Sequence, residues 1–283
     1  MLKKIVILIF IFFAICKSNC NSQIWESLNG KKTSNKLYDV QFVDSLNGWA
    51  VGDNSSIIHT SDGGLNWEIQ YSRTATHFYS VFFLDKNNGW AGGGGQLIHT
   101  SNGGKNWEFQ SNIINSEVNS ICFINDKIGW ASGFYYSDLK NNVIYGLLLS
   151  TIDGGKNWKF DTLTLSAGLR TIHFEDSLLG WTIGNSKSPG TKTGVFKTKD
   201  GGKNWFEYPL TSSETAMSLH FINKDIGWYV STDLTSTKSS LYKTTDGGES
   251  WLKQISLNYV FWNVDFINEQ NGYISGSDEQ GFV

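Results

Sequence analysis

The chain has 283 residues, 40% of them hydrophobic and 17% charged, with a formal net charge of −3. That balance offers no basic patch and excludes nucleic acid as the expected partner, because phosphates demand clustered lysine and arginine. Three cysteines and two prolines in so long a chain exclude a disulfide-built scaffold and leave one large buried core as the source of stability.

The first element is a targeting segment. Met1 to Lys4 brings two lysines, and Ile5 to Ile15 is an unbroken apolar run, too short to span a bilayer. A basic start, a short apolar stretch and polar residues after it read as a secretory signal at residues 1–22, with Gln23 the first mature residue. The alternative is a lipoprotein signal using Cys16 or Cys20. No small residue stands just before Cys16, and Lys17-Ser18-Asn19 is too polar before Cys20. The expected product is therefore secreted, periplasmic or on the cell surface, with no membrane span after cleavage. The signal holds three lysines and no acid, which leaves 20 basic against 26 acidic residues in 23–283. Cys122 is then the remaining cysteine, so no intrachain disulfide is expected.

From Tyr38 onward two motifs alternate. One reads TSDGGLNW (Thr60 to Trp67), TSNGGKNW (Thr100 to Trp107), TIDGGKNW (Thr151 to Trp158), TKDGGKNW (Thr198 to Trp205) and TTDGGESW (Thr244 to Trp251). The other is apolar-x-Phe-x6-Gly-Trp, ending at Trp49, Trp90, Trp130, Trp181 and Trp228, with a variant at Tyr273. In the first repeat Tyr38 to Phe42 alternates apolar and polar residues, Gly48 to Val51 is a second strand, Ser56 to His59 a third and Asn66 to Gln70 a fourth. Four short strands joined by hairpins and repeated every 40 to 51 residues predict an all-β chain, a β-propeller of four-stranded antiparallel blades. Six blades are counted, the last incomplete. Trp25 to Leu28, which matches Trp67-Glu68, is placed to supply its missing strand. Phe282-Val283 reads instead as a strand cut short, so C-terminal truncation and a seventh blade in the intact protein form the second expectation.

Each repeated residue has a mechanical role. The paired glycines, Gly63 and Gly64 in the first copy, serve positive φ. The acid or amide before them (Asp62, Asn102, Asp153, Asp200, Asp246) accepts backbone N–H groups of its own turn. The tryptophan that closes the motif (Trp67, Trp107, Trp158, Trp205, Trp251) is expected to carry apolar surface into the contact between blades.

The TSDGGLNW-type turn resembles the Asp-box, or bacterial neuraminidase repeat. The coupled Phe-x6-Gly-Trp-Ala-Val-Gly pattern, Phe42 to Gly52, is similar to the propellers of photosystem II assembly and stability factors and their secreted bacterial relatives. The resemblance covers Trp25 to Val283. It implies a non-catalytic assembly role and a partner bound through an arginine-rich surface. This chain has two arginines, Arg73 and Arg170, and an acidic balance, which departs from that surface. Sialidases share the Asp-box, but they resemble one another in three arginines on the substrate carboxylate, and two cannot supply three.

A glycoside hydrolase other than a sialidase is the second reading. It needs two carboxylates facing a cleft. Asp39, Glu117, Asp138, Glu175, Asp176, Glu214, Asp265 and Glu269 lie outside the turns and form no pair by spacing. Aligning the repeats on their phenylalanines puts Gln41, Phe82, Cys122, His173, His220 and Asp265 at one position. Cys122, His173, His220 and Asp265 are zinc-type ligands, but a polar inner strand accounts for them, and no metal or other cofactor is expected. His59, His99, Lys197 and Lys243 share the place before the Asp-box threonine, and solvent exposure is the expected reason.

The connections opposite the Asp-box turns vary, with insertions at Phe134 to Asn142, Asn185 to Thr193 and Thr232 to Ser239. Loops on a rigid scaffold are where recognition is expected. Tyr135 and Tyr136 in the first insertion, with Tyr79 and Trp262 from the links between blades and Arg170 four residues before Phe174, form the candidate binding set for a protein or glycan. A monomer is expected.

Overall fold

The computed structural model describes residues 35–70, 76–141, 143–210 and 214–277. The expected signal, Trp25 to Leu28 and Phe282-Val283 lie outside the described residues. The chain divides into two compact units, one within Leu28–Ser177 and one within Leu178–Val283.

In the first unit β1 (Leu37–Phe42), β2 (Gly48–Gly52), β3 (Ile57–Thr60) and β4 (Glu68–Gln70) pair in chain order. So do β5 (Phe78–Phe83), β6 (Gly89–Gly93), β7 (Gln96–Thr100) and β8 (Glu108–Asn112). The third blade is β9 (Ser116–Phe123), β10 (Gly129–Asp138), β11 (Val143–Thr151) and β12 (Lys159–Leu163), and β13 (Ser166–Phe174) follows as the inner strand of the fourth. The second unit holds β14 (Gly180–Ser186), β15 (Thr193–Thr198) and β16 (Phe206–Pro209). After these come β17 (Thr215–Phe221), β18 (Gly227–Asp233), β19 (Lys238–Thr244) and β20 (Leu252–Leu257), then β21 (Val260–Phe266) with β22 (Gly272–Ser277). Among the described residues the chain is all-β apart from one short 3-10 turn at Asp53–Ser55, with five four-stranded antiparallel blades and a partial sixth in a propeller arrangement.

The Asp-box works as its residue types require. Thr60 Oγ1 donates to Asp62 Oδ1 at 2.8 Å and accepts from Gly64 N at 2.8 Å. Asp62 also receives Asn66 N and Asn66 Nδ2, each at 2.8 Å. Gly63 and Gly64 take φ of 74° and 92°, a region closed to most side chains. The two threonine bonds recur at Thr100, Thr151, Thr198 and Thr244.

The aromatic packing shifts one expectation. The fully buried rings belong to the Gly-Trp motif, with Trp49, Trp90 and Trp181 at most 1% exposed, while the Asp-box indoles are half-buried. Each Gly-Trp indole stacks on the phenylalanine of the next blade: Trp49 on Phe83 at 3.7 Å, Trp90 on Phe123 at 3.7 Å and Trp130 on Phe174 at 3.6 Å. In the second unit Trp181 stacks on Phe221 at 4.0 Å and Trp228 on Phe266 at 3.8 Å. The Asp-box indole then meets that phenylalanine edge-on, as Trp107 does Phe83 at 5.9 Å and 90°. A face and an edge of one ring are thus used by two tryptophans, both favourable aromatic geometries. The Gly-Trp glycine leaves room for its own blade's phenylalanine. A Cβ on Gly89 would lie 2.4 Å from Phe83 Cε1.

Solvent exposure does not explain the residue before the Asp-box threonine. His59 stacks on Trp49 at 4.6 Å and His99 lies over Trp90 at 4.8 Å. Lys197 is buried, donates to Gly247 O at 2.9 Å and sits over the Trp181 ring, and Lys243 sits over Trp228. The position covers the outer face of the buried indole, which suits a flat ring or a cation.

The first insertion is an extended hairpin rather than a loop, while the other two keep connections at 187–192 and 234–237 between their strands. β10 runs to Asp138 and β11 starts at Val143, with Tyr135 opposite Tyr145. β14 and β15 close at Asn185 opposite Thr193, and β18 and β19 at Asp233 opposite Lys238. Cross-strand pairing of Tyr135 with Tyr145 and of Tyr136 with Ile144 continues the first of these ladders.

Candidate binding surface

Four residues before its phenylalanine, each inner strand with a described pairing register carries a β-bulge. The register skips Tyr38 in β1, Tyr79 in β5, Asn119 in β9, Met217 in β17 and Trp262 in β21. The second glycine of the Gly-Trp-x-x-Gly pattern makes the bulge feasible. A Cβ on Gly52 would fall 2.0 Å from Lys36 O, on Gly93 1.8 Å from His77 O and on Gly133 1.8 Å from Glu117 O. A bulge re-aims the side chain it carries, here at the same height in successive blades.

A polar side chain one residue further on fixes neighbouring inner strands against each other. Asp39 Oδ2 accepts Val81 N at 2.9 Å, Ser80 Oγ accepts Ile121 N at 3.2 Å and Ser120 Oγ accepts Ile172 N at 3.2 Å. Gln41 bridges both backbone groups of Phe83, and Asn119 Nδ2 donates to Leu169 O at 2.9 Å. The aligned residues are Asp39, Ser80, Ser120, Thr171, Ser218 and Asn263, short and polar in all six repeats. That column was readable in the sequence, and its meaning was not.

With the register fixed, the first unit gathers aromatic and charged side chains into two tyrosine–carboxylate groups. The Tyr38 and Tyr79 rings meet edge-on at 5.1 Å, and His77 lies parallel to Tyr79 at 6.4 Å. Tyr38 Oη donates to Asp53 Oδ1 at 2.7 Å, and His77 Nδ1 lies 2.9 Å from the same oxygen. Asp53 is placed by its own N–H on Lys36 O at 2.8 Å and by the tight turn through Asn54, at φ 55°. Lys36 Nζ stands 5.0 Å from the Tyr38 ring centre. On the third blade Tyr136 Oη donates to Glu117 Oε1 at 3.3 Å. Burial first, then the bond and charge of Asp53, push Tyr38 up to about 12. Burial and the Glu117 carboxylate likewise raise Tyr79 and Tyr136. These phenols stay protonated as donors near neutral pH.

The sequence-derived set is thus partly gathered. Tyr79 and Tyr136 share this surface. Tyr135 points the other way, edge-on to Phe160 at 5.0 Å and against the buried cluster around Trp90 and Leu147. Arg170 is half-buried on β13, its Nε has no hydrogen-bond partner among the described residues, and burial lowers its pKa. Trp262 belongs to the second unit, where it is 49% exposed and donates Nε1 to Ser277 Oγ at 3.3 Å. Lys36, Asp53 and His77 come together with the tyrosines only through the fold, and no spacing rule joins them.

The zinc-type residues lie apart in their roles. Cys122 is a buried free thiol pushed up to about 11 by burial. His220 Nδ1 sits 3.2 Å from Asp265 Oδ1 in the second unit. Among the described residues no three His, Cys, Asp or Glu side chains are grouped to hold a metal, and no helix is long and apolar enough to cross a membrane.

The acids considered for catalysis are engaged elsewhere. Asp39 joins β1 to β5, and Asp138 caps its hairpin turn through Lys140 N and Asn141 N. Glu214 is buried among Ser231, Ser240 and Tyr242 hydroxyls with Lys253 Nζ at 3.8 Å, and Glu269 pairs with Lys243. Glu175 and Asp176 are exposed after β13.

These features define an Asp-box β-propeller with bulge-displayed inner-strand side chains. Residues 17–116 match the family model described as photosynthesis system II assembly factor YCF48. Comparison with curated proteins gives no match. Among solved structures, a YCF48 bound to a D1 peptide is 21% identical, with a TM-score of 0.58 over 87% of this chain and 92% of that one. YCF48 from Cyanidioschyzon merolae is 18% identical, with a TM-score of 0.62 over 86% and 80%. An ancestral GH74 enzyme is 17% identical, with a TM-score of 0.64 over 86% of this chain and 35% of that enzyme. At these identities the structures establish the shared fold, and the chain is an Asp-box propeller resembling the photosystem II assembly factors.

Proposed function

We propose that this protein is an exported, non-catalytic propeller that serves as a binding or assembly scaffold for a protein partner. The observation that carries this reading is the surface of Tyr38, Tyr79, Tyr136, Asp53 and Glu117, with Tyr38 and Tyr79 displayed by bulges on a rigid set of stitched strands. Half-exposed tyrosines with a polar tip are well suited to protein contact, since they offer large area at little entropy cost. A propeller of the same fold and nearly the same length, a YCF48, is known with a D1 peptide bound, which supports a polypeptide ligand over a glycan. The structural employment of Asp39, Glu214, Asp138 and Glu269 supports a binding role over a glycoside hydrolase.

The test is capture from the source organism's extract with the mature full-length protein and a Tyr79→Ala/Tyr136→Ala variant. The variant is expected to lose about nine-tenths of the specific partner, the scale of two interface tyrosines. Equal recovery by both proteins removes this surface, and release of reducing ends from a polysaccharide panel by the purified chain removes the non-catalytic reading.

A further inference from the structure

Building on that reading, we infer that the Tyr79–Glu117–Tyr136 part of the surface receives a lysine or arginine side chain of the partner protein. The first ground is Glu117. Its carboxylate is half-buried and bonded by one phenol, Tyr136 Oη at 3.3 Å, with no cation paired to it among the described residues. A carboxylate withdrawn from water and given a single neutral donor is under-compensated, and an incoming ammonium or guanidinium supplies the missing charge. The second ground is aromatic. Tyr136 is bonded to Glu117, and Tyr79 is displayed by the bulge of β5, the inner strand tied to β9 through Ser80 Oγ and Ile121 N; a ring beside an anion is a better face for a cation.

The third ground lies one blade away. Tyr38 is the bulge residue equivalent to Tyr79, stands beside a carboxylate of its own, Asp53, and has Lys36 Nζ over its ring at 5.0 Å. Among the described residues the chain thus supplies a cation to the first tyrosine–carboxylate pair and none to the second. Among the described residues the lysine and arginine side chains of the neighbourhood are Lys36 over Tyr38 and Arg170 beyond Asn119 on the next inner strand.

The probes are N-acetyl-lysine methylamide and N-acetyl-arginine methylamide, titrated into full-length mature protein carrying 13C-labelled tyrosine at low salt. Saturable ring shifts confined to Tyr79 and Tyr136 are expected, with N-acetyl-norleucine methylamide giving none. Glu117→Gln is expected to weaken the arginine probe about fivefold with an unchanged melting curve, and Tyr79→Leu to weaken it where Tyr79→Phe does not. Equal shifts with norleucine, no effect of Glu117→Gln, or preference for N-acetyl-aspartate methylamide, which would implicate Arg170, overturn the inference. If the double alanine variant loses its partner but the cationic probes fail to bind, the surface stands and its charge preference falls. If the probes bind and capture is unaffected, the cation pocket stands and the partner reading falls.

Discussion

Glycine carries much of the specification in this chain, through absence of volume as much as through φ. The glycine before each buried tryptophan exists because a phenylalanine ring occupies its Cβ position, 2.4 Å away at Gly89 and 2.6 Å at Gly48. Gly89→Ala is therefore expected to cost about 1–3 kcal/mol, since the ring is locked between two indoles and overpacking has no outlet. Urea unfolding checks this, and a variant as stable as the parent would mean the ring can yield. The Asp-box threonine makes the second residue-scale case. Thr100 Oγ1 accepts Gly104 N at 2.8 Å and donates to Asn102 Oδ1 at 3.0 Å in a buried turn. Thr100→Val keeps the shape and orphans a buried N–H, for an expected loss of about 1–3 kcal/mol. Thr100→Ser, which keeps the hydroxyl, should recover most of it.

At the scale of elements, the blade is the unit, and the joint between blades is a stack of rings with a hydrogen bond at its rim. Trp49 lies on Phe83 and donates Nε1 to Gly103 O at 3.3 Å, and Trp90 repeats this on Phe123 and Gly154 O. Trp49→Ala opens a cavity in that joint and is expected to cost about 3–5 kcal/mol. Trp67→Ala removes a half-buried ring and should cost clearly less in the same urea titration. The reverse order would restore the Asp-box tryptophan as the principal joint. The strand pattern, the turn chemistry and the blade count were legible in the sequence, because period-two alternation and Asp-Gly-Gly turns are local signals. Which tryptophan is buried was not, because both recur at fixed spacing and only packing against the next blade separates them. The bulge was half legible. Gly52, Gly93 and Gly133 are visible as a repeated glycine, but the carbonyl each avoids comes from the strand beside it. The binding surface was least legible. Tyr79 and Tyr136 are 57 positions apart, and Asp53 and Lys36 reach the surface through backbone geometry that no side-chain pattern announces.

For the whole molecule, the proton balance predicts a stability that falls on acidification in two stages. His59 and His99 lie on buried indoles, and burial holds both below their ordinary 6.5. A depressed folded-state pKa means the unfolded chain binds the proton first, so their contribution is complete above about pH 6.5 and is lost as pH falls below it. The Asp-box aspartates act the same way lower down. Hydrogen bonds from Asn66 hold Asp62 below its ordinary 3.8, and those from Asn157 and Asn204 do so for Asp153 and Asp200. At Asp246 burial pushes upward, but bonds from Ser250, Thr244 and Glu249 N outweigh it and hold the group at about 2. Their share persists above about pH 4 and disappears as pH falls through the folded values. Asp39 opposes them, because burial raises it and its protonation favours the folded state. Asp44, Asp138 and Asp233 are lowered by hydrogen bonds of their own turns as well, as is Asp85 against the push of burial, which leaves the balance with the lowered carboxylates. Melting temperatures by circular dichroism should therefore decline gently from pH 7 to 5 and steeply from pH 4 to 2. His59→Gln/His99→Gln should make the first stage shallower, leaving the share of His220, which burial also lowers, and leave the second unchanged, since Ser150 shows that a polar side chain serves at that place. A wild-type melting temperature that holds level or rises between pH 6.5 and 5 would mean the two imidazoles take up protons over the indoles without penalty, and the stacking account of that position would fail with it.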